Sequence, residues 1–133
     1  MKTASAKVAP VRVPAVLVVD DEPTVRRLAR RMLESDGCRV YEAADGLEAL
    51  AVLAEQGPVD VVVADLRMPN MDGRALAACL ASRSPRIPIL FISGFDRHVG
   101  DVAALGPVLP KPFSAEQLTA GVQQLLAREA QRA

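Results

Sequence analysis

Apolar residues in this chain gather in five short runs, at 15–19, 39–43, 59–64, 87–92 and 108–109. The segments between them have helical periodicity. Runs such as Val16-Leu17-Val18-Val19 and Val61-Val62-Val63-Ala64 are apolar on both sides of a pleat. They predict strands buried on both faces, as in a parallel sheet covered by helices. A first helix opens at Pro23, which suits a first helical turn, and closes at Gly37. Its inward stripe is Val25, Leu28, Ala29, Met32 and Leu33, and Arg26, Arg27, Arg30 and Arg31 fill the opposite face. A second helix starts at Asp45-Gly46-Leu47-Glu48, a capping box in its Asp form, and ends at Gly57-Pro58. A third covers 73–82 with Leu76, Cys79 and Leu80 inward, and a weakly patterned fourth covers 97–105. The last opens with the capping box Ser114-Ala115-Glu116-Gln117 and buries Leu118, Val122, Leu125 and Leu126. Regular alternation of strand and helix predicts an α/β fold. Its form is a doubly wound, five-stranded parallel sheet with right-handed crossovers.

A length of 133 residues fits one domain, placed at 15–130. Residues 1–14, rich in Ala, Ser, Lys and Pro, are expected to form a flexible arm. Sixteen basic and sixteen acidic side chains cancel, so no global field draws the chain to nucleic acid or an anionic membrane. Trp is absent and aromatics are scarce, against a base-stacking surface. No apolar run approaches the roughly 20 residues of a spanning helix. Cys38 and Cys79 stand singly, as small apolar fillers in a reduced, cytoplasmic protein. His98 is the only histidine, which excludes a His-based zinc site.

The strand ends carry the chemistry. Asp20-Asp21 follows the first strand, Asp65 the third, Ser93-Gly94 the fourth and Lys111-Pro112 the fifth. In an open parallel sheet the carboxyl ends of the strands are where ligands bind. Three carboxylates converging there raise one another's pKa unless a cation neutralises them. Mg²⁺ does so, and it also welcomes phosphate oxygens. An aspartate can act as a nucleophile and become an acyl phosphate. The metal, the Lys111 ammonium and the Ser93 hydroxyl would then stabilise the three phosphoryl oxygens. Gly94 leaves room for the group to arrive. Each acid taken alone is commonly a turn or helix-cap signal. It is their joint occurrence on successive strand ends that points to a site.

These motifs resemble those of response-regulator receiver domains in two-component signalling. The matching segments are Val18-Val19-Asp20-Asp21-Glu22-Pro23, the stretch from Asp65 through Met68-Pro69 to Asp72-Gly73, Ile92-Ser93-Gly94 and Lys111-Pro112-Phe113. The resemblance covers about residues 15–128. It implies a flavodoxin-like (βα)5 fold, with a shortened fourth helix in this chain. It also implies a set of roles: Asp65 as phosphoacceptor, Asp21 binding Mg²⁺ directly, Asp20 through water, and the backbone carbonyl of Arg67 as a further metal ligand. Ser93 would bond the phosphoryl group. Lys111 would pair with Asp65 and then with the phosphoryl group, and Lys111-Pro112 would be a cis peptide. The implied partners are a sensor histidine kinase or a histidine phosphotransfer domain, and an unknown downstream protein target, with a homodimer left open. No enzymatic activity is expected beyond the chain's own phosphorylation and dephosphorylation.

The chain stops soon after the last helix, leaving no room for an output domain, so no direct DNA binding is expected; the shortness of its apolar runs predicts no membrane insertion. Two departures touch the output region: Val108 stands where the family usually has an aromatic, and the stretch from Ser93 to Lys111 is shorter than is common. Two other functions would use the same fold. A Mg²⁺-dependent aspartyl-phosphate phosphohydrolase usually has an acid two residues after its nucleophile, and Arg67 occupies that position. A phosphate-independent interaction module would show degraded acids, and all are intact.

Overall fold

In the computed structural model, residues 12–83, 85–94 and 102–132 are described. The element order is β1 (Ala15–Val19), α1 (Pro23–Ser35), β2 (Arg39–Ala43), α2 (Gly46–Gln56), β3 (Val61–Asp65), α3 (Gly73–Ala81), β4 (Ile89–Ser93), β5 (Val108–Pro110) and α4 (Ala115–Arg132). The strands form one parallel sheet in the order β2-β1-β3-β4-β5. The chain moves outward from β1 on one side and returns through β3 to β5 on the other. That reversal opens the crevice beyond the ends of β1 and β3.

Alternate strand residues feed two separate cores. Leu17, Val19, Val62, Ala64 and Phe91 pack with Leu53, Leu76 and Leu80 of α2 and α3. Val16, Val18, Val61, Val63, Leu90 and Ile92 pack with Ala29, Leu33, Leu118, Val122 and Leu125 of α1 and α4. Both faces are thus covered, as the continuous apolar runs require. Among the described residues no helix is long and apolar enough to cross a membrane.

Several expected boundaries shift for local reasons. β3 begins at Val61 because the Asp60 carboxylate accepts from the Ala15 N–H at 2.8 Å, where a strand would use its carbonyl. β4 begins at Ile89 because Pro88 has no N–H to give the ladder. Both strands run one residue further than expected, so Asp65 and Ser93 are held within the sheet. In α3 the buried stripe is Gly73, Leu76, Ala77 and Leu80, and Cys79 falls at its flank rather than inward. In α1 the stripe centres on Ala29 and Leu33, which leaves Leu28 47% exposed. Of the expected arm, residues 12–14 are attached to the sheet: Arg12 pairs with Asp60 at 2.7 Å and the Pro14 carbonyl accepts from the Arg39 N–H. Residues 1–11, His98 and most of the expected helix over 97–105 lie outside the described residues. Val102 is buried, and its carbonyl accepts from the Leu105 and Gly106 N–H groups.

Candidate functional site

The ends of β1, β3, β4 and β5 bring the expected residues to one cleft of about 320 Å³, lined by Asp21, Glu22, Asp65, Arg67, Ser93, Gly94 and Lys111. The register explains the convergence. Val19 lies beside Ala64, Asp65 beside Ile92, and Ser93 beside Pro110. The backbone then turns at each of these points. Lys111 N–H donates to the Ser93 carbonyl at 2.7 Å, fixing the start of the cis Lys111-Pro112 turn against β4.

Lys111 is the electrostatic centre. Its Nζ lies 3.1 Å from Asp65 Oδ2, 3.2 Å from Asp20 Oδ2 and 3.4 Å from Glu22 Oε1. Burial draws its pKa down, but the hydrogen bond to Asp65 and the charges of Asp20 and Asp65 more than offset this, and the net shift is upward. The ammonium stays protonated at any physiological pH. The three aspartates differ in access. Asp20 is fully buried, Asp65 is 7% exposed on the cleft floor, and Asp21 is exposed at the rim. Burial raises the Asp20 pKa, reinforced by the Asp65 charge, while the bond from the Glu22 N–H and the Lys111 ammonium oppose the rise.

The donor set fits a hard divalent cation. Oxygens of Asp20, Asp21 and Asp65 all lie within 4.8 Å of one another. Oxygens on opposite sides of Mg²⁺ sit about 4 Å apart, so small rotations would close them on one ion. Asp20 Oδ2 is buried without a hydrogen-bond partner of good geometry, although the ammonium is near. Such an atom costs free energy unless a cation or water serves it. Lys111 alone leaves the cluster net negative.

Four neighbours of the site have partners there that the sequence pattern does not show. Glu22 turns its N–H onto Asp20 Oδ1 at 2.9 Å. Arg26, expected on a solvated face, has a side chain only 18% exposed. It donates from Nη1 to the Asp20 carbonyl at 2.8 Å and from Nε to Glu42 at 2.9 Å. The available signal was a basic residue in the first turn of a helix, where the dipole disfavours it. The other two are Asp45 and Asn70, whose side chains bond at 2.8 Å behind the Asp65 loop.

Comparison with known proteins agrees with this geometry. The family model described as response regulator receiver domain matches residues 16–123. The chain is 43% identical over 120 residues to the sensor kinase CckA of Brucella abortus (strain 2308), covering 86% of this chain and 13% of that one. It is 42% identical over 123 residues to the response regulator MprA of Mycobacterium sp. (strain KMS), covering 90% of this chain and 52% of that one. The chain therefore spans about an eighth of the first relative and about half of the second. Among solved structures, the receiver domain of Francisella response regulator 1452 superposes with a TM-score of 0.76 at 32% identity, over 87% of this chain and 98% of that one.

Proposed function

The chain belongs to the response regulator receiver domain family of two-component signalling, and on that premise we propose that Asp65 takes a phosphoryl group from a phosphohistidine, with Mg²⁺ as cofactor. One observation carries the assignment. Among the described carboxylates that line the cleft, Asp65 is the buried one; it pairs with the Lys111 ammonium at 3.1 Å, and its strand lies beside the one that ends at Ser93. Asp20 is sealed from any incoming group, and Asp21 stands at the rim.

In the proposed step an Asp65 oxygen attacks phosphorus as the N–P bond of the donor breaks. The imidazole leaves with that electron pair and is protonated by water, and an acyl phosphate remains on Asp65. Lys111, freed from Asp65 Oδ2, moves its charge to a phosphoryl oxygen, and the Ser93 hydroxyl donates to another. Asp20, Asp21, Asp65 and the Arg67 carbonyl would hold Mg²⁺, which supplies charge neutralisation between carboxylates and phosphoryl oxygens. Hydrolysis reverses the bond order, with water attacking phosphorus and the Asp65 carboxylate leaving. The chain acts on its own aspartate and turns over no separate substrate.

The donor is a sensor histidine kinase or a histidine phosphotransfer domain in the cytoplasm. The exposed α1 face with Arg27, Leu28 and Arg31 is where its helix would dock, beside the acidic edge. An unidentified protein target would read the phosphorylated state. Incubation with acetyl phosphate and Mg²⁺ tests the reading. The wild type is expected to gain one phosphoryl group, whereas labelling of Asp65→Asn to the same extent would overturn the assignment.

A further inference from the structure

The loop from Asp65 to α3 closes on itself. Gly73 N–H donates to the Leu66 carbonyl at 3.0 Å, and Met71 N–H to the Pro69 carbonyl at 2.7 Å. Two further bonds fasten it to the start of α2. Gly46 N–H donates to the Met71 carbonyl at 3.0 Å, and Asn70 Nδ2 donates to Asp45 Oδ2 at 2.8 Å.

Asp45 is buried and takes no part in the chemistry described above. Its Oδ1 accepts from the Glu48 N–H at 2.9 Å and so caps α2, while Glu48 Oε1 accepts from the Ala44 N–H in return. Capping needs one oxygen, and Ser or Asn would supply it as well as Asp. The second oxygen goes to Asn70. That residue sits at φ 66°, a left-handed conformation that few side chains other than Asn tolerate, and from there its amide reaches Asp45. The two segments also press closely. A Cβ on Gly46 would lie 2.5 Å from Met71 Cγ and 2.8 Å from the Met71 carbonyl oxygen. On its other side the same segment holds the acid pair, because the Ala43 carbonyl accepts from the Asp20 N–H at 3.1 Å. Residues 43–46 therefore join the two halves of the site from behind.

We propose that Asp45 is a positioning residue: through Asn70 it fixes the 65–73 loop to the start of α2, and so sets the spacing of Asp65 and the Arg67 backbone from Asp20 and Asp21 for a divalent cation. The inference rests on the metal-site reading given above. A lost tie leaves every ligand in place but lets the loop sample other positions, so Mg²⁺ binds more weakly. Outer partners that orient ligands are commonly worth 10–100-fold in metal affinity. The lower end, about tenfold, applies to a tie that acts through backbone.

The test is a calorimetric Mg²⁺ titration of the full chain and its variants, with amide hydrogen exchange in Mg²⁺-free buffer. Asp45→Ser keeps the cap and removes the second oxygen. Asn70→Gly keeps the positive φ and removes the amide. Each is expected to weaken Mg²⁺ about tenfold and to speed exchange at the Gly46 and Gly73 N–H groups. Because both cut one bond, the double variant should lose no more than either single one. Asp45→Asn can cap through its oxygen and donate to a flipped Asn70 amide, so it should retain affinity close to wild type. Wild-type affinity in Asp45→Ser and Asn70→Gly would overturn the proposal, as would additive losses in the double variant. Asp21→Ala separates the two levels of the argument. If it abolishes binding while the loop variants bind normally, the tie alone fails; if the wild type binds no Mg²⁺, the metal-site reading falls and the tie with it.

Discussion

Gly73 and Gly121 both sit in helices, and replacing each with Ala should have unequal consequences. At Gly73 a Cβ would lie 2.5 Å from the Asp65 carbonyl oxygen, 3.0 Å from Leu66 Cα and 3.2 Å from the Asp65 carbonyl carbon. All three are backbone atoms at the end of β3, and none can rotate away. To reach ordinary contact the helix start and the strand end must part by about 1 Å. Overpacking of this kind costs about 1–3 kcal/mol, and the upper end applies where backbone must move. Ala gains less than the ~1 kcal/mol of a helix interior, because Gly73 is the first residue of α3. The net loss is about 2 kcal/mol. At Gly121 the closest atom is Leu90 Cδ2 at 3.0 Å, the far end of a side chain. A shift of a few tenths of an ångström relieves it, and the helix-propensity gain offsets the cost to within about 1 kcal/mol. Urea denaturation followed by circular dichroism reads both. With m near 2 kcal/mol/M, Gly73→Ala should lower the midpoint by about 1 M, and Gly121→Ala should leave it within about 0.5 M. Gly73→Ala should also weaken Mg²⁺ binding, since the displaced carbonyl belongs to Asp65. Equal midpoints for the two variants would refute the reasoning.

Asp21→Ala should weaken Mg²⁺ at least tenfold, and Ser93→Ala by less than about twofold, because only the first removes a ligand charge; equal losses in a titration would contradict the ligand assignment. The bond from Arg30 holds the Glu42 carboxyl below its ordinary value against the effect of burial, with Arg26 assisting. A depressed folded-state pKa adds stability above the unfolded value and loses it as pH falls through the folded one. Glu42→Gln should therefore cost about 1–2 kcal/mol at pH 7, a cost that declines only as pH drops below the ordinary glutamate value and vanishes below the depressed folded one; a gap that stays constant with pH would refute this. Arg27→Glu with Arg31→Glu should slow phosphotransfer from the cognate kinase at low salt and matter less at high salt; rates unchanged at low salt would leave these arginines as a solvated face only.

The strands and the site acids were legible because each rule behind them is local. A β-branched run has one stable place in an α/β protein, between two layers of helices, and both observed cores bear that out. The acids could be placed on one edge because parallel strands all end on the same side. Arg26 and Asp45 escaped because their partners are distant in sequence: Arg26 meets Glu42 of β2, and Asp45 meets Asn70 across 25 residues. Periodicity assigns such residues to a face or a cap and is silent about what stands opposite. Leu28 shows the same limit. Helical spacing put it in the stripe, but the width of the stripe depends on how α1 rests on the sheet: Ala29 and Leu33 are buried, Val25 and Met32 pack partly buried against the same core, and Leu28 falls outside it.

The central claim is that Asp65 alone accepts the phosphoryl group. The direct measurement is to phosphorylate the chain with acetyl phosphate and Mg²⁺, reduce the acyl phosphate with borohydride, and locate the product by peptide mass spectrometry. Homoserine at position 65, absent when Mg²⁺ is chelated, is the expected result. Homoserine elsewhere, or a reduced product that persists in Asp65→Asn, would contradict it.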